Sequence, residues 1–421
     1  MVLDATTCGH DTATVRGVIT VIGNSKLPSG EIVDIKVFDG VVTEHLSPGK
    51  SKVDIDLGGQ LVVPAFCDPH AHLDKALTAD IVANKRGDLE GAIRAWQSRY
   101  EDRTEEEIYE RSRKVLRMAL VNGTLSIRTH VDVGADAGLV AVDALRRLRE
   151  ELRGLIDLQI VALVATPISG QEGKENRKSL QKAIERGVDV VGGCPHLDSD
   201  PEKAIAVAMD AALEAQLPLD LHMDETLDPT MLSVVVLSRA VLERGFDQAV
   251  TASHCVSLSV LEPERQRSIA TLLKEASVNV VSLPQTNLFL QARDRPTAPP
   301  RGITPINLLR DEGVIVGAGG DNVQDPFNTM GRADALETAA LAVAASHQSA
   351  ESGLDLVTNS SRIVMGLPLC GYELGLKASL VAAPVSTVRE LIATAPADRV
   401  VIRDGEVVAR TTSVTEMIRD F

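Results

Sequence analysis

Eight short apolar runs, at 61–66, 125–128, 158–164, 188–191, 217–221, 249–253, 278–282 and 314–317, alternate with longer segments of helical character. Such alternation marks βα units around a parallel sheet, and eight units close a barrel. With 421 residues the chain is too long for one small core, but it suits a single α/β barrel with a small accessory domain. β-Branched runs at 15–22, 32–38 and 53–57 are separated by turn residues such as Pro28-Ser29-Gly30 and Asp39-Gly40. The same texture returns at 378–383, 399–403 and 406–410, the last two flanking Asp404-Gly405, a dipeptide that favours a two-residue hairpin turn. The expected fold class is therefore α/β: a (β/α)8 TIM barrel over 64–373, with both chain ends, 1–63 and 374–421, forming one small β-sandwich domain.

In barrels of this kind the chemistry sits at the C-terminal ends of the strands. In an extended strand alternate side chains share a face, so His70 and His72 can both turn inward and grip one metal ion. Ligand-type residues recur after other runs: His222 after 217–221, His254 after 249–253, and Asp321 after 314–317 by way of Gly319-Gly320. His70, His72, His222 and Asp321 make a mononuclear metal set, and His254 with Glu225 adds groups that handle protons. Nitrogen ligands with one carboxylate leave a position for water, whose pKa falls from ~15.7 to about 7 on a metal. The constellation implies a hydrolase.

Gly317, Gly319 and Gly320 are not followed by the Lys-Ser/Thr of a P-loop, so their expected purpose is close backbone approach beside Asp321. Cys255 adjoins His254 and should face the other way, as a buried thiol and not a nucleophile. Lys75 is expected as a charge on the rim. His130 and Asp132, after the second run, fit either support for the ligands or the rim. His10, His45 and His347 are expected on the surface.

A formal charge of −16 argues against nucleic acid or an anionic membrane as partner. The five scattered cysteines contain no Cys-x-x-Cys, so neither a disulfide framework nor a thiolate zinc site is indicated. The N-terminus lacks the basic start and apolar core of a signal peptide, and no apolar stretch is long enough to span a bilayer. A cytoplasmic protein acting on a small neutral or cationic molecule is expected.

Five stretches then stand together: Pro69-His70-Ala71-His72-Leu73-Asp74, Arg128-Thr129-His130-Val131-Asp132-Val133, Asp220-Leu221-His222-Met223-Asp224-Glu225, Thr251-Ala252-Ser253-His254 and Asp321-Asn322-Val323-Gln324-Asp325-Pro326-Phe327. In this order they resemble the cytosine deaminase family of the amidohydrolase superfamily, over nearly the whole chain. The resemblance implies one divalent ion, zinc or iron, on His70, His72, His222 and Asp321. It implies that Glu225 carries a proton from the attacking water to a ring nitrogen, and that His254 holds or polarises the metal-bound hydroxide. Asp321 would also relay the proton to the departing group. The implied substrate is a nitrogen heterocycle that loses ammonia or an alkylamine, and a homo-oligomer is left open.

Two departures from that family bear on specificity. Its members carry a Pro-Gln pair after the third strand, whose amide reads a pyrimidine edge, whereas this chain has Val164-Ala165-Thr166-Pro167. The carboxylate that usually follows the metal Asp is replaced by Asn322, as in the related enzyme that removes isopropylamine from a triazine. Both point away from cytosine itself. Phe327 stands where the family has an aromatic covering the substrate, and Thr166, His196, Asn322 and Phe327 are the candidate substrate contacts. Cleavage of a cyclic or linear amide is an alternative use of the same hydroxide. An inactive binding or assembly homologue is a third reading, against which the intact ligand set speaks.

Overall fold

The computed structural model describes residues 17–419, so His10 and the first residues of the run at 15–22 lie outside the described residues. Eight parallel strands form the barrel: β1 (Phe66–Ala71), β2 (Thr124–Val133), β3 (Asp157–Val164), β4 (Val190–Gly193), β5 (Leu219–Met223), β6 (Val250–His254), β7 (Val278–Ser282) and β8 (Val316–Ala318). Neighbours in sequence are neighbours in the sheet, and helices such as Val140–Glu151 and Pro201–Ala215 pack outside through Leu145, Leu148, Ile205 and Met209. β8 returns to β1 through Asp321, whose backbone N–H donates to the His70 carbonyl and whose carbonyl accepts from the His72 N–H, each at 2.9 Å. A Cβ on Gly319 would lie 2.8 Å from the His70 carbonyl oxygen, so this seam closes only over a glycine.

The run at 61–66 divides between two structures. Leu61–Pro64 pairs antiparallel with Leu380–Ala383 in the small domain, and the barrel strand begins at Phe66. Pro69 has no N–H to offer a ladder, and the β1–β2 register shifts there, so hydrophobic pattern alone placed the strand five residues early. The run at 125–128 is likewise the start of a ten-residue strand, every residue of which is buried. His130 and Asp132 lie within β2 rather than after it, because their polar groups are enclosed by the barrel.

The second sheet is mixed and draws on both chain ends: Ile19–Lys26, Ile32–Phe38, Val41–Leu46, Ile55–Asp56, Leu61–Pro64, Leu380–Ala383, Arg399–Arg403 and Glu406–Thr411. It curls so that Ile22, Ile35 and Val37 share one core with Leu380 and Ile402. At its last hairpin Asp404 (φ 48°) and Gly405 (φ 85°) both take the left-handed conformation that a primed turn requires. Among the described residues no helix is long and apolar enough to cross a membrane.

Candidate active site

The barrel strands deliver five histidines and Asp321 to one buried region, where the clusters His70–His72–Asp321, His70–His222–His254 and His70–His130–Asp220 all share His70. His70, on β1, and His130, on β2, stack with ring centroids 3.9 Å apart. His72 follows β1, His222 lies on β5, and His254 ends β6. Asp321 stands just past β8, with Oδ1 3.3 Å from His72 Nε2 and 3.6 Å from His70 Nε2. His72 Nε2 and His222 Nε2 are 3.2 Å apart. His254 (φ 72°), Cys255 (φ 49°) and Asp321 (φ 61°) are left-handed without being glycine. Such strain persists where surrounding structure over-determines it, and it turns the strand ends so that side chains aim at one centre.

A chain of hydrogen bonds below the cluster sets one tautomer. Arg128 donates to Asp220 Oδ2 at 2.8 Å, and Ser253 Oγ donates to Asp220 Oδ1 at 2.9 Å. Having spent its proton there, Ser253 accepts from His70 Nδ1 at 2.9 Å, so His70 Nε2 is a bare lone pair. That atom, His254 Nε2 and Asp321 Oδ2 are all buried without a hydrogen-bond partner among the described residues. Each orphaned group costs about 1–3 kcal/mol, and a cation is a fitting partner for such lone pairs, since ligand atoms of His70, His72 and Asp321, and of His70, His222 and His254, lie within 4.8 Å of one another. The residues therefore fit a divalent ion.

Burial, reinforced by the neighbouring imidazoles, holds His70 and His222 well below the ordinary histidine range. Burial also brings His254 down to about 4. Neutral imidazole is the form that ligates metal. For Asp321 burial works upward, but the contributions that lower its pKa, led by the hydrogen bond with His72, outweigh it and hold the carboxyl below its usual range. Glu225 goes the other way: burial, then the charge of Asp321, raises its carboxyl well above the usual range. Glu225 Oε1 accepts from Asn287 Nδ2 at 3.2 Å, and the same amide nitrogen lies 3.0 Å from His254 Nδ1.

Above the cluster a cavity of about 110 Å³ is lined by His72, His222, His254, Asp321 and Glu225 at its floor. Thr166, Asn322 and Phe327 line it as well. The Asn322 amide is engaged locally, donating to Asp325 at 2.7 Å and accepting from Thr286 at 3.2 Å. His196 is not part of the lining; its Nδ1 meets the His222 carbonyl at 3.1 Å and so buttresses that strand end. Cys255 is buried, with its thiol pKa pushed well up by desolvation.

Lys75 corrects the expectation of a rim charge. It is 3% exposed, lies in the cavity wall and donates to Asp132 Oδ1 at 2.7 Å. Leu73 and Ala76 anchor the loop after β1 in the core and draw Lys75 in with them. His45 is half-buried against the Tyr372 carbonyl, not free on the surface, whereas His347 is exposed. Sequence reasoning missed Trp96, Tyr100 and Asn287. For Trp96 a signal existed, since it is the chain's single tryptophan, four residues before Tyr100. Asn287 carried none.

Residues 78–409 match the amidohydrolase family, beginning just downstream of His70 and His72. The chain is 32% identical to a pterin deaminase from Rhizobium rhizogenes over 93% of this chain and 92% of that protein. The chain belongs to the amidohydrolase family. It is 27% identical to N-isopropylammelide isopropyl amidohydrolase from Pseudomonas sp. strain ADP, over 79% of this chain and 82% of that one. The solved structure of 5-methylcytosine deaminase from Klebsiella pneumoniae, liganded with 5-fluorocytosine, superposes with a TM-score of 0.85 at 30% identity, covering 95% of this chain and 99% of that chain. This family member is thus a metal-dependent hydrolase acting on non-peptide C–N bonds.

Proposed function

We propose that this amidohydrolase removes ammonia or an alkylamine from a nitrogen heterocycle other than cytosine. The observation that carries the reading is the pair of buried clusters His70–His72–Asp321 and His70–His222–His254, each with ligand atoms within 4.8 Å of one another, beside the buried Glu225 carboxyl, whose pKa burial raises. His70, His72, His222 and Asp321 would hold one zinc or iron ion. When bound, such an ion supplies Lewis acidity and makes water a nucleophile at neutral pH. Glu225 accepts the proton of the attacking water and hands it to a ring nitrogen beside the scissile C–N bond. Burial, then the charge of Asp321, raises its pKa and so favours the protonated form in which it hands the proton on. His254, steadied by Asn287, faces the attacking water, and Asp321 passes the last proton to the departing amine. Thr166 and Asn322 stand where a relative would read a pyrimidine edge, and the Asn322 amide is already spent on Asp325 and Thr286. A site without that reader loses roughly 10⁴-fold or more in selectivity for the matching ring. Scattered free thiols suit a reducing, cytoplasmic setting.

The test is ammonia and amine release across aminopyrimidines, aminotriazines, pterins and cyclic amides. The highest kcat/KM is expected on an aminated or alkylaminated heterocycle, with cytosine well below it. Cytosine as best substrate would refute the specificity argument, and a cyclic amide as best substrate would refute the deaminase reading.

A further inference from the structure

The cavity has an aromatic wall that proton transfer leaves unused. The chain is poor in aromatic residues, with six Phe, three Tyr and one Trp among 421. Three of these ten, Trp96, Tyr100 and Phe327, line this one cavity. Trp96 lies on the helix Leu89–Gln97 and Tyr100 on the short turn that follows, both in the connection from β1 to β2. Leu89 and Ile93 of the same helix extend the surface.

The polar ends of Trp96 and Tyr100 meet at one atom. Asp132 Oδ2 accepts the indole N–H at 2.7 Å and the phenol O–H at 2.9 Å, while Oδ1 accepts from Lys75 at 2.7 Å. With those groups spent on Asp132, and with the Arg103 guanidinium 4.2 Å from the Tyr100 ring centroid, what Trp96 and Tyr100 turn to the cavity is ring carbon. Aromatic carbon recognises ring faces by stacking and is indifferent to where the heteroatoms lie.

We propose that Trp96 and Tyr100, held in place by Asp132, form a stacking wall that selects flat heteroaromatic substrates over puckered analogues. The inference rests on the heterocycle reading of the site. Trp96 and Tyr100 are specificity-determining, and Asp132 is a positioning residue that acts through them.

The experiment measures binding of pterin and cytosine, against tetrahydropterin and 5,6-dihydrocytosine, to the metal-loaded Glu225→Gln protein by calorimetry, with wild-type turnover followed in parallel. Planar members should bind roughly tenfold or more tighter than their puckered partners, the scale of one ring stacked on an aromatic side chain. Adding Trp96→Leu should cut that preference to under about threefold, while Trp96→Phe, which keeps a ring, should retain most of it. Because Trp96 is the sole tryptophan, its emission reports the wall directly. Asp132→Asn should shift that emission to longer wavelength with unchanged far-ultraviolet circular dichroism, and it keeps the proposal open to refutation should Trp96→Leu not fold. Unchanged preference in Trp96→Leu, or unchanged emission in Asp132→Asn, overturns the wall while turnover of a heterocycle leaves the functional reading standing. Planar-selective binding without turnover by wild type overturns the functional reading and leaves the wall. Neither binding nor turnover overturns both.

Discussion

The floor and the wall of one cavity treat their polar atoms in opposite ways. At and just beneath the floor, His70 Nε2, His254 Nε2 and Asp321 Oδ2 are buried and, among the described residues, unpartnered. On the wall, Lys75, Trp96 and Tyr100 all donate to Asp132, and Lys75 beside it overcomes burial to hold that carboxyl below its usual range. Unmet hydrogen-bonding capacity costs stability and is retained where a ligand completes it; met capacity sets shape. The floor is therefore where bonds change, and the wall is where a ring is fitted.

If the floor exists to be completed by an ion, Asp321→Ala should have the largest effect. We expect metal content to fall from about one ion per wild-type chain to near zero, with activity down by at least ~10³-fold, because one site carries all of the chemistry. Metal analysis finding two tightly bound ions in the wild type would break the mononuclear picture. Glu225→Gln should separate the metal from the proton: full metal content, with kcat lowered about 10² to 10⁴-fold. Near-normal turnover would assign the proton to another group.

The third expectation concerns acid. His196 is buried beside the floor, and desolvation brings its pKa from an ordinary 6.5 to about 4. Between those values the unfolded chain binds a proton that the folded chain does not, so stability falls as pH drops from 6.5 towards 4, by about 3 kcal/mol for this group. Denaturant unfolding of wild type and His196→Gln across that window checks it; equal pH slopes would show that His196 is not the source. Ser253→Ala removes the acceptor that orients His70 and should weaken metal affinity about 10 to 100-fold in chelator competition. The smallest effect belongs to the wall. Tyr100→Phe leaves Asp132 with two of its three side-chain donors, so stability should fall by about 1 kcal/mol and KM should change less than threefold. A collapse of metal binding in that variant would erase the distinction between floor and wall.

Local pattern carried much of this protein. Alternation of apolar runs with helical segments named the barrel, the spacing of His70 and His72 pointed to two nitrogens near one place, which the structure sets at Asp321 although His72 lies just past the strand, and Asp404-Gly405 marked its hairpin, because period and turn chemistry are properties of a few adjacent residues. Tertiary structure decided the rest. It split the run at 61–66 between two sheets, since Leu61–Pro64 finds its partner more than three hundred residues away in Leu380–Ala383. It drew His130 and Asp132 inside β2, where enclosure outweighs polarity. It buried Lys75, and it brought Trp96 and Tyr100 to the Asp132 carboxylate. Which donors reach a carboxylate depends on where distant segments return in space, and no spacing along the chain encodes that.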